Sequence, residues 1–522
     1  MKSSFAIMFP AVTLLVALVI PVSVGAQEPP VTPGHTKPHR YRFVDLGTFG
    51  GPAAYLYGSD RVSEVRILNE HGAVTGWATT STLDPYQDFC WDGDCFLAHT
   101  FEWQDSVTTD LGALVDGANS DARWITNNGL ISGDSENGEL DPLNPGFPEI
   151  RAVVWKDGHI VDLGTLDGGY ESVAHAVNSR GQVVGLSLNR TPDPNSMIGS
   201  FYGIGFQQTR PFIWQNGVMQ DLGTLGTGNN AIALLINERG QVAGDSYTST
   251  DPSPFCFYNN NVFPLTTGAY LWEKGKMTDL GGLGGTCTLA SALNNQGQVA
   301  GWSNLAGDQA YHAFRWDPAT HSHLRDLGTL GGTFSIAVAM NDTGDVVGAA
   351  ARPGDQVVHA TLWGRHGLID LGTVGTDQCA EARSVNSSDQ VVGISNPECG
   401  SDEASAFLWE HEGPMIDLNA FVPPDSDLHL RAGATINDRG EIAAFAATPD
   451  GNRRTVLLIP CDDEPADSEG CRGPALRTNV ISSPAATLST RARLSPRDVL
   501  RGVAAELDRY GWGRAVNRTS SR

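Results

Sequence analysis

Asp326-Leu327-Gly328-Thr329-Leu330-Gly331-Gly332-Thr333-Phe334-Ser335-Ile336-Ala337, followed by Met340-Asn341-Asp342-Thr343-Gly344-Asp345-Val346-Val347-Gly348 and then His359-Ala360-Thr361-Leu362-Trp363, decides the fold because it recurs. Its Asp-Leu-Gly element returns at Asp45, Asp110, Asp162, Asp221, Asp279, Asp326 and Asp370, and in worn form at Asp417, where Asn419 replaces the glycine. A self-similar unit of roughly 45 to 60 residues is too long for one coil of a β-helix and suits a propeller blade.

Each unit reads as four short strands. The first ends in Asn-x-x-Gly at Asn69, Asn178, Asn237, Asn294, Asn341 and Asn437, with Thr126 replacing the Asn in unit two and Asp389 the Gly in unit seven. An Asx residue three before a glycine favours a tight hairpin. The second strand is Gly-x-Val-Val-Gly, whose β-branched pair favours extended backbone. The third ends at Trp103, Trp155, Trp214, Trp272, Trp316, Trp363 and Trp409, or Leu458 in the last unit. Its two faces are both apolar, as in a sheet packed on both sides. The fourth carries Asp-Leu-Gly, with the Asp expected to accept backbone N–H bonds in the turn.

The first strands fall at 63–69, 120–126, 172–178, 231–237, 288–294, 335–341, 380–386 and 431–437. The expectation is an all-β propeller of eight four-stranded blades. Unit eight has three strands of its own, and Tyr41-Arg42-Phe43-Val44-Asp45-Leu46 is a spare fourth strand that would close the ring and remove the exposed edges.

Residues 1–26 have the charged, apolar and small-residue parts of a secretory signal. The apolar run is short of the roughly 20 residues that span a bilayer, so no membrane span is expected after cleavage. Residues 27–40 are a Pro-rich linker, 41–460 the propeller and 461–522 a basic tail, with one amphipathic helix starting at Ser495-Pro496-Arg497-Asp498. The formal charge of −25 becomes −26 once Lys2 leaves with the signal, which argues against nucleic acid as a partner. Residues 472–522 carry ten arginines against three acids, a net +7, so the remainder holds about −33 and should attract the tail. The chain is read as a secreted, extracellular or periplasmic monomer.

Eight cysteines in an exported chain read as disulfides. Nearest neighbours pair Cys90 with Cys95, Cys256 with Cys287, Cys379 with Cys399 and Cys461 with Cys471. Eight cysteines allow 105 connectivities, and this is one of them.

The run Asp-Leu-Gly-Thr-Leu-Gly-Gly-Thr, with Ile-Asn-x-x-Gly-x-Val-Val-Gly and His312-Ala313-Phe314, resembles the bacterial extracellular HAF repeats, named for that tripeptide. His359-Ala360-Thr361, Ser405-Ala406-Phe407, Arg210-Pro211-Phe212 and Gly268-Ala269-Tyr270 are drifted copies. The resemblance covers roughly 41–460 and implies an exported bacterial protein, with no catalytic residues to carry over.

No serine elbow, zinc motif or phosphate loop is present, so no catalytic or metal residue is assigned. Asp92-Gly93-Asp94 and Asp134 to Glu139 could hold calcium but lack the calcium-loop spacing, and no cofactor is expected. The leading reading is a module that binds a glycan or protein. Its working face would carry the long connections at about 79–97, 134–150, 187–209 and 246–267 of blades one to four, with Trp91 and Tyr202 among their aromatics. Alternatives are a propeller hydrolase or lyase acting on polysaccharide and a structural surface protein. The second and fourth positions of the first strands share a side and include Glu64/Arg66, Asp121/Arg123, His175 and Glu381/Arg383. These would line the channel beneath the long loops, either as inert inter-blade ion pairs or as an anion or sugar subsite.

Overall fold

The computed structural model describes residues 39–57, 63–86, 90–91, 94–143, 145–197, 207–258, 261–319, 323–365, 367–401, 403–410, 413–462 and 470–473. The expected signal sequence, the expected linker up to residue 38 and the expected C-terminal helix lie outside these residues. The described chain is all-β: eight antiparallel meanders follow one another in sequence as propeller blades, and single parallel bridges at Thr267–Cys287 and Val358–Cys379 join blades four to five and six to seven, so that the ladders form six hydrogen-bonded sheets. Their first strands are Gly50–Tyr55, Ser120–Ile125, Glu171–Val177, Ala231–Ile236, Gly284–Leu293, Ser335–Met340, Cys379–Val385 and His429–Ile436.

The ring closes as the spare strand requires. Tyr41–Asp45 pairs antiparallel with the third strand of blade eight, from Tyr41 opposite Pro460 to Asp45 opposite Val456. A two-residue strand, Cys471–Arg472, adds to its outer edge at Tyr41 and Arg42. Blade eight therefore takes in residues on both sides of the expected 41–460 boundaries. His39 and Arg40 belong to it as well: the Arg40 N–H donates to Asp462 (2.7 Å), and the Cys461 N–H donates to the Arg40 carbonyl. All four expected disulfides form, with Cα separations of 4.9, 5.2, 5.1 and 6.1 Å in chain order.

Repeated residues do repeated work. In all eight units the Asp of Asp-Leu-Gly accepts the backbone N–H two residues on, at 2.7–3.0 Å. Gly164 there has φ +78°, a left-handed turn that a side chain would strain. The histidine of the third strand reaches the same carboxylate: His99, His312 and His359 place Nδ1 2.7–3.1 Å from Asp110, Asp326 and Asp370. Trp103, Trp155, Trp272, Trp316, Trp363 and Trp409 are buried between sheets, as two apolar faces per blade demand.

The Asn of each Asn-x-x-Gly turn does more than turn the chain. Its Oδ1 accepts local N–H groups, as Asn69 does from His71 and Ala73. Its Nδ2 donates to the carbonyl of the corresponding residue one blade on, at 3.0–3.2 Å, from Asn69, Asn178, Asn237, Asn294, Asn341, Asn386 and Asn437. The last of these bonds runs from Asn437 to Asn69 and stitches the ring shut. Thr126 has no amide to donate, so the belt has its gap between blades two and three. Aspartate would cap the same turns but could not donate, which is the physical reason for Asn.

Candidate functional site

The first strands of blades two to eight each carry a one-residue bulge. Register shifts across it at Arg123, His175, Leu234, Ser291, Val338, Arg383 and Ala434, the fourth position of each first strand as expected from the sequence. Such a bulge bends the strand and re-aims a side chain. Blade one departs from the expected 63–69 strand. Tyr55 pairs with Trp77, and Leu68 with Val74, so the ladder with the second strand breaks between Tyr55 and Leu68, where the other blades skip a single bulged residue. Tyr55, not Glu64, is thus the second-position residue of blade one. Glu64 of this insertion reaches blade five, where its N–H donates to the Ser291 carbonyl at 2.8 Å.

The charged residues fare differently. Arg123 is buried: it pairs with Asp134 and with Asp121 (3.5 Å), and it donates to the Tyr57 hydroxyl with its guanidinium 4.3 Å from the Tyr57 ring centroid. Asp134 also accepts the Ala174 N–H of the next blade (3.0 Å), so this network joins blade to blade and holds the insertion. Arg383 and Glu381 are a buried pair at 3.3 Å. His175 is buried, with Nδ1 2.8 Å from the Ala233 carbonyl of blade four. Glu64 and Arg66, paired at 3.2 Å, line an open cavity, where the guanidinium lies 5.4 Å from the Trp124 ring centroid.

That cavity, about 450 Å³, opens on the Asn-turn face rather than beneath the long loops. Glu64 and Arg66 form part of its floor, and Glu70, Asn127, Glu238, Asn295, Asp342 and Asp438 stand at its rim. Burial raises Glu64 above the ordinary carboxylate range; Arg66 opposes the shift and the Asp342 charge adds to it.

On the opposite face the long connections are tied down. Trp91 is buried beside Glu136. Asp84 accepts from Asn119 Nδ2 (2.7 Å), and Glu136 accepts from both Asn119 N (2.9 Å) and Nδ2 (3.0 Å). Burial first, with the Asp84 charge adding, pushes Glu136 up to about 7. In blade three, Asp193 takes the Asn229 and Asn230 amides of the next blade at 2.6 and 2.7 Å. In blade four the expected 246–267 loop is largely a hairpin of strands Val242–Tyr258 and Asn261–Glu273, linked to blade five through Cys256–Cys287. Tyr202 lies outside the described residues. Sequence reasoning passed over aliphatic groups on this face: Leu83, Val115, Leu140 and Leu143 are 60, 40, 50 and 44% exposed on blades one and two and the crossing between them. Among the described residues, no group of three or more His, Cys, Asp or Glu is arranged to hold a metal ion.

The fold is a β-propeller closed by its N-terminal strand. No protein-family model matches the chain, and no curated protein does. Among solved structures it is similar to the propeller domain of the trilobed protease from Pyrococcus furiosus, at 11% identity over 72% of this chain and 99% of that one, with a TM-score of 0.42. The Dos1 propeller is 10% identical over 80% and 95%, at a TM-score of 0.36. Acylaminoacyl peptidase of Pyrococcus horikoshii is 12% identical at a TM-score of 0.37, and the match spans 76% of this chain and 57% of the peptidase. At these identities the likeness is one of fold, and no activity is taken from it.

Proposed function

We propose that this is an exported, HAF-type repeat propeller that binds a protein partner through the long-loop face of blades one and two. The observation that carries it is the set of exposed aliphatic groups Leu83, Val115, Leu140 and Leu143 on a face whose connections are held by buried polar networks and disulfides. Four disulfides fit an oxidising compartment. No helix among the described residues is long and apolar enough to cross a membrane. Aliphatic rather than aromatic exposure favours a protein over a glycan, since sugars pack on flat rings and apolar patches mark protein contacts. Catalysis by a hydrolase or lyase needs convergent acid and base groups in a pocket. Glu136, the acid pushed toward neutrality, is instead buried against Asn119.

The test compares proteins captured from the native extracellular fraction by the wild type, by L83S/L140S/L143S, and by a variant altered at exposed Val161 and Val218 of outer strands. One partner should be lost with the first variant alone, and its affinity for purified protein should fall at least tenfold. Equal capture by all three removes this face. Turnover of polysaccharide substrates by wild type would favour the enzyme reading instead.

A further inference from the structure

The channel mouth on the Asn-turn face is built differently from the long-loop face. At six of the eight turns the backbone N–H of the residue after the turn's first position donates to the side chain of its counterpart in the next blade. Glu70 donates to Asn127, Ser179 to Glu238, Glu238 to Asn295, Asn295 to Asp342, Ser387 to Asp438 and Asp438 to Glu70, at 2.8–3.1 Å. Where the acceptor would be Ser179 or Ser387, the shorter side chain carries no such bond among those found. The belt fixes the orientation of four rim carboxylates, Glu70, Glu238, Asp342 and Asp438, above a concave floor. Each accepts one or two backbone or side-chain donors, which leaves lone pairs toward the opening. Arg66 is the only cationic side chain among the cavity's lining residues, against five carboxylates including Glu64. Burial and the neighbouring Asp438 charge hold Glu70 above its ordinary range, although backbone bonding opposes the shift. The cavity's 450 Å³ would admit one or two long side chains.

The same face is where the described chain ends. Cys471–Arg472 pairs with Arg42 and Tyr41, beside Pro460, and Pro460 lies against the Asn-turn glycine Gly440. Residues 474–522 then carry nine arginines, no lysine and three acids, and eight of the nine arginines lie from Arg491 onward. Crossing blade eight from its outer edge to the channel takes four strand spacings, about 19 Å at ~4.8 Å each. The nearly uncharged stretch 474–490 can cover up to about 55 Å when extended. We propose that the arginine-rich segment 491–522 of this same chain docks in the acidic channel mouth, with guanidinium groups on Glu238, Asp342, Asp438 and Glu70. Arginine suits the task because its planar fork takes oriented carboxylates two bonds at a time. The contact would cover the Asn-turn face and leave the long-loop face open, so it stands apart from the partner surface proposed above.

The test uses the whole folded chain with a protease site inserted after Gly473 and a fluorophore on the C-terminal segment. After cleavage at about 20 mM salt, the segment should stay with the propeller. It should leave at about 0.5 M salt, where screening shortens to a few ångströms. E238Q/D342N/D438N keeps the belt's acceptors and should weaken retention at least tenfold, read by fluorescence anisotropy on dilution. D110N/D162N/D279N removes as many charges from the opposite face, keeps the turn acceptors, and should change retention less than twofold. Matching melting temperatures exclude misfolding as the cause. Equal weakening by the two variants would reduce the contact to diffuse attraction and overturn the proposal, as would release of the wild-type segment at low salt. Concentration-dependent dimers of the uncleaved chain, lost with the rim variant, would place the segment on a second copy and overturn docking within one chain.

Discussion

The belt of turn asparagines makes a sharp prediction, because replacing Asn69 by Asp alters one donor and almost nothing else. Asn69 is 5% exposed; its Oδ1 accepts His71 and Ala73 N–H at 2.9 Å, and the carboxylate of N69D keeps both bonds. What is lost is the 3.0 Å bond from Nδ2 to the Thr126 carbonyl. That carbonyl also accepts Gly129 N–H, so it is not orphaned, and the lost bond itself costs about 1 kcal/mol. An ionised oxygen set against a carbonyl adds roughly another 1 kcal/mol in a half-dry site. For the roughly 400 described residues the unfolding entropy near the melting temperature is about 0.8 kcal/mol/K, so 2 kcal/mol lowers the melting temperature by about 2 °C. Differential scanning calorimetry resolves that shift. The same argument run backwards predicts that T126N, which restores the missing donor, raises the melting temperature by about 1 °C. The N69D defect should also shrink near pH 3.5, where the introduced carboxyl is protonated and can donate. An N69D protein within 0.5 °C of wild type at pH 7, or a T126N protein that melts lower, would refute the inter-blade role.

Three further outcomes follow from the same structure. Deleting residues 27–38 should leave thermal stability unchanged, whereas deleting 27–48 removes the closing strand and its pairing with Val456 to Pro460 and should drop the melting temperature by more than 10 °C or abolish secretion; equal tolerance of both deletions would sink the closure. The His39 imidazole is held at about 9, chiefly by its bond to Glu410 and then by Asp462 against the cost of burial. Because that folded value lies above the unfolded 6.5, its contribution is full below pH 6.5 and is lost as pH rises through 9. Since His39 is part-exposed, H39N should abolish a pH-dependent stability on the order of 2 kcal/mol measured by chemical denaturation between pH 6 and 10. Asp245 is fully buried, one oxygen accepts Ala290 N–H at 2.8 Å, and burial raises it well above its ordinary value. The folded state therefore holds this proton to a higher pH than the unfolded state does, so D245N should gain stability relative to wild type as pH rises above 4 and nothing at pH 3.5; a loss at pH 7 would contradict this.

The eight-blade ring, its closing strand and the disulfide pairs were legible because each rests on a local signal: a repeated turn, a repeated tryptophan, a spare strand or a nearby cysteine. The belt was not read, because an asparagine's donor finds its partner about 50 residues away and only the ring brings them together. A signal was present nonetheless. Seven of eight turns keep Asn where Asp would cap equally well, and that preference asks for a donor. The insertion in blade one was also misplaced, since Ser63-Glu64-Val65-Arg66-Ile67-Leu68-Asn69 satisfies the repeat pattern by itself. Its spacing gives it away: 24 residues separate Asp45 from Asn69, against 16 from Asp162 to Asn178.

Placing that insertion inside the channel accounts for an asymmetry that sequence alone left open, the gathering of charged bulge residues on one arc. Tyr57 and residues 63–66 of the insertion bring backbone and polar groups against the first strands of blades two and five. Polar groups taken from water need partners. Arg123 meets Tyr57 of the insertion, Ser291 offers its carbonyl to Glu64, and Arg66 pairs with Glu64 over Trp124. Arg383 and Glu381 match each other within their own strand. Leu234 and Val338 stay apolar and buried on the far arc. The charges that resemble a ligand subsite in sequence are, on this account, largely the internal matching of a threaded segment. The unbalanced carboxylates that remain are displaced to the rim, where the belt orients them toward solvent.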